Sequence, residues 1–415
     1  MPVEAVIFQH ADEAAFIWSR RAQAVSGAIY RLDDLGALDT RLDANLAGLR
    51  IAGDDGWRMA KEQLSWREGG EVFTAAVLAL ESESEENFDE VLEIALEDYD
   101  GIRTSDTFRG LVSAFGWLSF GRVRHRLESY LTSDSPRLCA IGVAAAAIHR
   151  QNPGLHLKNS IESSDLILRA RTFKAAGELG RVDLLHHLRN AVCEDERSRF
   201  YRAWSMALLG WKEAAADLRA LAVENGQYSE RAVDCAVRLM SVDDARAWLT
   251  ELSGNGETTR LAAKGAGALG DPAVMTWLLS QMDVPENARV AGEAFSMITG
   301  VDMVYDDLET DWPSGFEVGP TDEPDDEDVE MDPDDDLPFP DPDLIKEWWN
   351  TNRSQFSNGQ RYFLGLPINE QGLRAGLVNG FQRQRLGAAL ELALAEPESV
   401  LLEIRAPGFR QNASL

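Results

Sequence analysis

The side chains best suited to chemistry in this sequence are six histidines and three cysteines. A di-iron site between facing helices needs paired His-Glu dipeptides, and no histidine here is followed by glutamate. On a helix, His186 and His187 would point about 100° apart, so both cannot bind one metal without distortion, even with Cys193 nearby. We therefore predict no metal site and no bound cofactor.

Motifs that would supply catalysis from other residues are also missing from the sequence. It contains no Walker-type phosphate loop, no Gly-x-Ser-x-Gly nucleophile elbow and no Cys-x-x-Cys pair. Adjacent acids such as Asp33-Asp34 fit helix-end charges better than acid–base machinery. We predict that the chain is not an enzyme, and a lyase-type enzyme built on helical repeats is the least favoured alternative.

Arginine and tryptophan side chains are better candidates for binding another protein. Arg189 and Arg219 occupy the same position in consecutive repeats, on second helices, and Leu249 interrupts the ladder in the next repeat. Such a ladder of arginines would bind an acidic peptide. The alternative is that both arginines are solvated and lie beside acidic side chains of the same chain. The tryptophans are either partner anchors or core residues. The candidate partner-binding residues are Arg189, Arg219, Trp248, Trp348, Trp349 and Arg361.

The elements that must position these side chains are indicated by a repeat of 30 residues. The repeat marks are Leu179-Gly180, Leu209-Gly210, Leu239-Met240 and Leu269-Gly270, with Gly300 at the next interval. A period near 30 with small and apolar residues in register predicts stacked helix pairs, each of which buries its apolar face only against its neighbours. Glycine at the mark predicts the left-handed residue that ends a helix, and the four leucines should be buried.

The repeat predicts an all-α fold, a HEAT-like α–α solenoid of helix pairs. Residues 1–66 lack the period and are predicted to be an N-terminal helical cap, followed by a repeat array over residues 67–301. Residues 302–343 form an acidic, proline-rich linker. Residues 344–415 are predicted to be a small, mainly helical C-terminal module.

The formal net charge of −30 argues against binding of nucleic acid or of an anionic membrane surface. Most of the excess lies in residues 302–343, which hold nineteen acids and no Lys or Arg. This tract has too little apolar surface to order itself, so we predict that it is flexible unless basic side chains capture it. The expected captors are Arg361, Arg383 and Arg385, or the Arg189 and Arg219 positions.

The N-terminal residues carry Glu4 and no basic stretch before an apolar run, so no secretory signal is expected. No segment of about 18 apolar residues is present that would predict a transmembrane helix. Together with the odd number of dispersed cysteines, these features favour a cytoplasmic protein of unknown oligomeric state.

The two ends of the chain carry a family resemblance. Residues 10–18 (HADEAAFIW) and 46–53 (LAGLRIAG), with Gly56-Trp57, are similar to the opening of an uncharacterised proteobacterial family of HEAT-like proteins. Residues 359–365 (GQRYFLG) and 381–385 (FQRQR) resemble its ending. Members tend to be encoded in type VI secretion clusters, near spike and adaptor genes. The resemblance implies a secretion-associated accessory role and carries no catalytic residues.

These observations predict a non-enzymatic protein-binding solenoid. Its expected role is an adaptor or chaperone-like accessory of a bacterial type VI secretion system, with a secreted effector or a spike or adaptor protein as partner. The first alternative is an immunity protein that blocks a cognate toxin, with the acidic tract mimicking nucleic acid or covering a basic active site. A purely structural scaffold is a further alternative.

Overall fold

The computed structural model describes residues 4–316, 318–319 and 332–412, and these residues are mostly helical. The predicted all-α helical repeat fold is confirmed. Contacts divide the chain into two compact units. Unit 1 consists of Met1–Trp211 with Ala395–Leu415, and unit 2 consists of Lys212–Leu394. The boundary after Trp211 falls inside the predicted array, and the predicted C-terminal module is divided between the two units.

Unit 1 is built of helices joined by short turns, and it begins with three helices that precede the regular stack. In chain order the helices are α1 (Glu4–Ala24), α2 (Leu32–Ala52), α3 (Asp54–Gln63), α4 (Gly69–Ser82), α5 (Glu85–Ala95), α6 (Asp106–Trp117), α7 (Phe120–Leu131), α8 (Pro136–Ile148), α9 (Leu155–Ser160), α10 (Leu166–Glu178), α11 (Leu185–Asn190) and α12 (Glu196–Leu208). The helices α4, α6, α8, α10 and α12 pack on one another in that order.

Unit 2 continues with helices and adds two short antiparallel strand pairs. Its elements are α13 (Ala214–Ala222), α14 (Ser229–Leu239), α15 (Val242–Ser253), α16 (Thr259–Leu269), α17 (Met275–Gln281), α18 (Pro285–Thr299), β1 (Glu309–Thr310), β2 (Phe339–Pro340), α19 (Pro342–Asn352), β3 (Tyr362–Phe363), β4 (Leu366–Pro367), α20 (Glu370–Asn379) and α21 (Gln382–Ala395). Strand β1 pairs with β2 and β3 pairs with β4. The last helix, α22 (Gly408–Gln411), belongs to unit 1.

Small residues and caps explain why these helices form and stack. Asp165 begins α10 by accepting a hydrogen bond from the backbone N–H of Leu168, and Asp195 caps α12 in the same way. Gly177 of α10 lies where a Cβ atom would be 2.6 Å from the Oγ atom of Ser205 in α12. The glycine therefore allows the close helix approach that the small-residue pattern predicted.

The repeat marks have the predicted roles with one exception. Leu179, Leu209 and Leu269 are buried, whereas Leu239 is only half-buried. The glycines that follow the three buried leucines, and Gly300, have left-handed φ angles. Met240 instead has φ −79° and ψ 160°, because a side chain replaces the glycine and the chain leaves the helix in an extended conformation.

In unit 2 a segment from much later in the sequence, residues 362–365, packs against the glycine marks Gly270 and Gly300. The backbone N–H of Tyr362 donates to the carbonyl of Gly270 at 2.8 Å, and that of Leu364 donates to the carbonyl of Met297 at 2.9 Å. A helix end leaves four carbonyl groups without intrahelical partners, and here backbone N–H groups of the strand segment satisfy some of the carbonyls at these ends. The marks are therefore docking positions as well as helix ends.

Substitution of Gly270 by alanine is expected to destabilise unit 2 by more than the strain of a left-handed alanine, which is about 1–2 kcal/mol. Its φ is 73°, and a Cβ atom there would overlap the carbonyl oxygen of Tyr362. The matched control is Gly315→Ala, because Gly315 has φ 79° but no atom of the described residues within 4 Å of the added Cβ. Thermal unfolding should show a larger loss for Gly270→Ala, and equal losses would mean that the docked segment adds no constraint.

In unit 1 the C-terminal chain docks on the earlier marks. The backbone N–H of Leu401 donates to the carbonyl of Glu178 at 3.0 Å, and the Nε atom of Arg150 donates to the carbonyl of Leu401 at 2.6 Å. The guanidinium of Arg410 donates to the carbonyls of Gly116, Trp117 and Leu118 at the end of α6. The C-terminal chain thus caps helix ends that precede it by more than 200 residues.

This docking buries a group of charges between α10 and the C-terminal chain. The side chain of Glu178 is 1% exposed and lies 2.8 Å from Arg171 and 3.5 Å from Arg405. Glu403 pairs with Arg405 at 2.7 Å and with Arg150 at 3.1 Å. Burial alone would raise the pKa of Glu178, but attraction by the surrounding cations outweighs it and lowers this pKa to about 2.

The acidic tract is packed against unit 2 at both of its described ends, while residues 317 and 320–331 lie outside the described residues. Leu308, Leu337 and Phe339 are buried, and β1 pairs with β2. Of the expected captors, Arg383 contacts the described part of the tract, where its guanidinium donates to the carbonyl of Pro333 at 3.2 Å. Arg361 instead pairs with Glu391, and Arg189 and Arg219 stack on tryptophan rings.

The cations that hold the carboxylates of the tract are instead Arg260 and Arg289 of the repeat helices. Arg385 is fully buried and donates to the carbonyl of Leu377 at 2.6 Å, so it is committed within its own helix pair.

Candidate functional site

A shallow groove in unit 2 contains two of the predicted partner-binding residues, Arg219 and Trp248. It has a volume of about 430 Å³ and lies between α13 and α15. Alanines at 215, 216 and 247 line it and leave room where larger side chains would fill the space. Met240 lines it as well, so the residue that replaces the repeat glycine forms part of a wall.

The cation of this groove is Arg219, an exposed side chain whose guanidinium carbon lies 4.9 Å from the centre of the Trp248 ring. Trp248 is 4% exposed, so the ring is a fixed support for the cation. No carboxylate of the described residues forms an ion pair with Arg219. Its N–H groups are therefore directed to solvent and able to receive a carboxylate.

Two acids, Asp244 and Glu251, complete the rim of the groove. Asp244 is already engaged at the start of α15, where the hydroxyl of Ser241 donates to its carboxylate at 2.7 Å. Glu251 is exposed. The groove thus combines an apolar floor with one cation and two anions, an arrangement suited to a peptide side chain flanked by polar groups.

Unit 1 carries a second arginine–tryptophan pair. The guanidinium carbon of Arg189 lies 3.5 Å from the centre of the Trp211 ring, and Arg189 is exposed. Trp211 directly follows the Gly210 mark, so it does not occupy the repeat position of Trp248. Leu249, which interrupts the ladder in the next repeat, is buried. The two repeat-equivalent arginines therefore share stacking on tryptophan, each within its own unit.

The predicted anchors Trp348 and Trp349 lie elsewhere in unit 2 and are half-buried in aromatic contacts. The ring of Trp348 packs edge-on against Phe295 with 5.4 Å between centres. Trp349 contacts Phe356 at the same distance between centres. Trp348 therefore attaches α19 to α18, and Trp349 packs against a residue that follows α19.

Arg361 lies in unit 2 at the end of α16. It donates to the carbonyl of Leu269 at 2.8 Å and to that of Ala268 at 3.2 Å, and it pairs with Glu391. Glu391 also pairs with the buried Arg238 at 2.7 Å. These contacts cap a helix and neutralise a buried charge, and they leave Arg361 outside the groove.

The histidines and cysteines are dispersed. Among the residues described, no group of three or more His, Cys, Asp or Glu side chains is placed to hold a metal ion. The rings of His186 and His187 are 5.8 Å apart at 70° to one another. Burial raises the pKa of the Cys193 and Cys235 thiols, which makes the thiolate forms less accessible at neutral pH.

The sequence pointed to Arg219 and Trp248 but not to the rest of the groove. Ala215 and Ala247 were not distinguished from core alanines, because both occur in helices with many small residues. Met240 was visible as the residue that breaks the glycine pattern, and that departure was the one available signal. Which face of α15 meets which face of α13 depends on packing.

In the part of the chain that is described, each helix is too short or too polar to cross a membrane. No model of a known protein family, no curated protein and no solved structure matches this chain.

Proposed function

We propose that this chain is a non-enzymatic protein-binding helical repeat protein whose groove beside Trp248 receives an acidic segment of a partner. The observation that carries the proposal is the exposed Arg219 held over a buried tryptophan at 4.9 Å. A carboxylate of the partner would pair with the guanidinium, and an adjacent apolar side chain would cover the alanine floor. Aromatic and arginine residues in such pockets dominate the energetics of many protein interfaces.

The proposed setting is a bacterial type VI secretion system, in which the chain is an adaptor or chaperone-like accessory that handles an effector or spike protein. The support for this setting is the resemblance of residues 10–18, 46–53, 359–365 and 381–385 to a family encoded in such clusters. The exposed Arg219 suits this role, because an accessory protein has to bind its partner and need not catalyse a reaction.

The test is capture from the native host followed by measurement with purified components. We expect the full chain to retain a secreted effector or spike protein, identified by mass spectrometry. The Arg219→Glu variant should then bind that protein about tenfold or more weakly, since it replaces attraction of a carboxylate by repulsion. The loss should shrink at high salt, which screens exposed charges.

The matched control is Arg353→Glu, the same charge change at an exposed arginine of unit 2 outside the groove. Equal affinities of the two variants would contradict the assignment of the groove. Recovery of a toxin that the chain inactivates would replace the accessory role with the immunity role.

A further inference from the structure

A second acid-binding surface in unit 2 is formed by arginines from three helices. Arg260 belongs to α16, Arg289 to α18 and Arg383 to α21. We call these three residues the clamp. They converge on one short segment of the same chain, Asp332-Pro333-Asp334.

The contacts of the clamp reach both side chains and the backbone of this segment. Arg260 donates to both carboxylate oxygens of Asp334, to Oδ1 at 2.9 Å. Arg289 donates to the carboxylate of Asp332 at 2.6 Å and to the carbonyl of Asp334 at 2.9 Å. Arg383 completes the set at the carbonyl of Pro333. Asp334 is 3% exposed, so the segment is buried against the clamp at this residue.

Aromatic rings hold the central arginine in place. The guanidinium carbon of Arg289 lies 4.9 Å from the centre of the Trp312 ring and 5.1 Å from that of Phe339. Arg289 is itself only 4% exposed. A guanidinium fixed between rings loses little freedom when it binds a carboxylate, which favours selective recognition of acids.

The charges at this surface require an acidic occupant. Beside the clamp, Lys264 pairs with Glu293 at 2.6 Å, and Arg260 also pairs with Glu230 at 2.5 Å. Among the described residues, removal of the two aspartates would leave Arg260 with Glu230 as its ion-pair partner and would take from Arg289 the carboxylate of Asp332. A cation buried as deeply as Arg289 is costly without a partner, so an empty clamp would attract carboxylates even in a chain of net charge −30.

We propose that the clamp is a binding site for an acidic segment of a partner protein, with two carboxylates separated by one residue. The segment Asp332-Pro333-Asp334 is its occupant in the free chain and is displaced when the partner binds. The proposal extends the proposed protein-binding function to a second surface and does not depend on the groove beside Trp248. Because a tethered occupant acts at an effective concentration of about millimolar, a partner must add further contacts to displace it.

The test neutralises the two carboxylates of the bound segment and adds a free peptide that carries the same acidic residues. The Asp332→Asn/Asp334→Asn double variant is titrated with a fluorescent peptide that has the sequence of residues 332–336, Asp-Pro-Asp-Asp-Asp. We expect the peptide to bind the variant about tenfold or more tightly than the native chain, with weaker binding at high salt. Adding Arg260→Gln to the double variant should remove this gain in affinity.

Two controls make each result decisive. A peptide with asparagine in place of every aspartate should not bind, and Arg353→Glu should leave the titration unchanged because this exposed arginine lies outside the clamp and the groove. Equal peptide binding by native and variant chains, or equal binding of the neutral peptide, overturns the proposal. If circular dichroism shows that the double variant is unfolded, the single variant Asp334→Asn, which removes the carboxylate that Arg260 binds, enters the same titration under the same criteria.

Discussion

Replacement of Glu178 by alanine is expected to lower the free energy of unfolding by about 3–5 kcal/mol. The carboxylate is 1% exposed, and it offsets the charges of Arg171, Lys174 and Arg405. Its removal leaves these cations close together with only part of their compensation. The loss is measured by denaturant unfolding of the full chain at neutral pH.

The matched control for this substitution is Glu128→Ala, also in unit 1. Glu128 faces Arg124 at 3.7 Å, but both side chains are more than half exposed. A pair of this kind contributes about 0–1 kcal/mol, so the control should remain close to the native chain. Similar losses for the two variants would mean that burial does not set the contribution of the charges around Glu178.

The same carboxylate gives a dependence on pH with a definite sign. The folded pKa of Glu178 is about 2, because attraction by its cations outweighs burial, whereas an unfolded glutamate titrates near about 4.3. The folded state therefore binds fewer protons, and the contribution is complete above the unfolded pKa and lost as the pH falls towards 2. The unfolding free energy of the native chain should fall more steeply between about pH 5 and pH 2 than that of Glu178→Gln.

Truncation of Leu209 to alanine is expected to cost about 2–5 kcal/mol. Leu209 is 2% exposed at the end of α12, next to the Gly210 mark, so the substitution removes buried methyl groups and leaves a cavity. Thermal or denaturant unfolding of the full chain measures the loss. The repeat register identifies this buried position from the sequence alone.

The control for Leu209 is the same substitution at Leu155, which lies in unit 1 and is 73% exposed. Because it buries little apolar area, Leu155→Ala should change stability by less than about 0.5 kcal/mol. A small loss at Leu209 would show that the region around the mark collapses around the missing side chain.

The candidate site was only partly accessible from the sequence. Arg219 and Trp248 stand 29 residues apart, close to one repeat, and the repeat brings them into one groove. Trp348, Trp349 and Arg361 have the same residue types, but the structure engages them in contacts within unit 2. Residue type alone could not separate these cases, because an arginine that caps a helix and one that awaits a carboxylate have the same chemistry.

The packing of the acidic tract could also not be predicted from residue types alone. Its composition predicted that it cannot order itself, and that argument holds for a segment considered alone. Arg260 and Arg289 bind its carboxylates because α16 and α18 pack side by side and present both guanidinium groups to one segment. In the sequence the two arginines are ordinary helical residues, without a signal that they share a surface.

The sequence by itself determined the helices, the repeat of 30 residues and the glycines that end the helices, because these depend on local conformation and on periodic burial. Only the tertiary structure decided what covers each helix end and what neutralises each buried charge. Leu401 reaches the end of α10, and Tyr362 reaches Gly270. The reason is that an unsatisfied carbonyl or a buried cation accepts any partner of suitable chemistry. The folded geometry therefore selects that partner, at sequence separations much longer than the repeat of 30 residues.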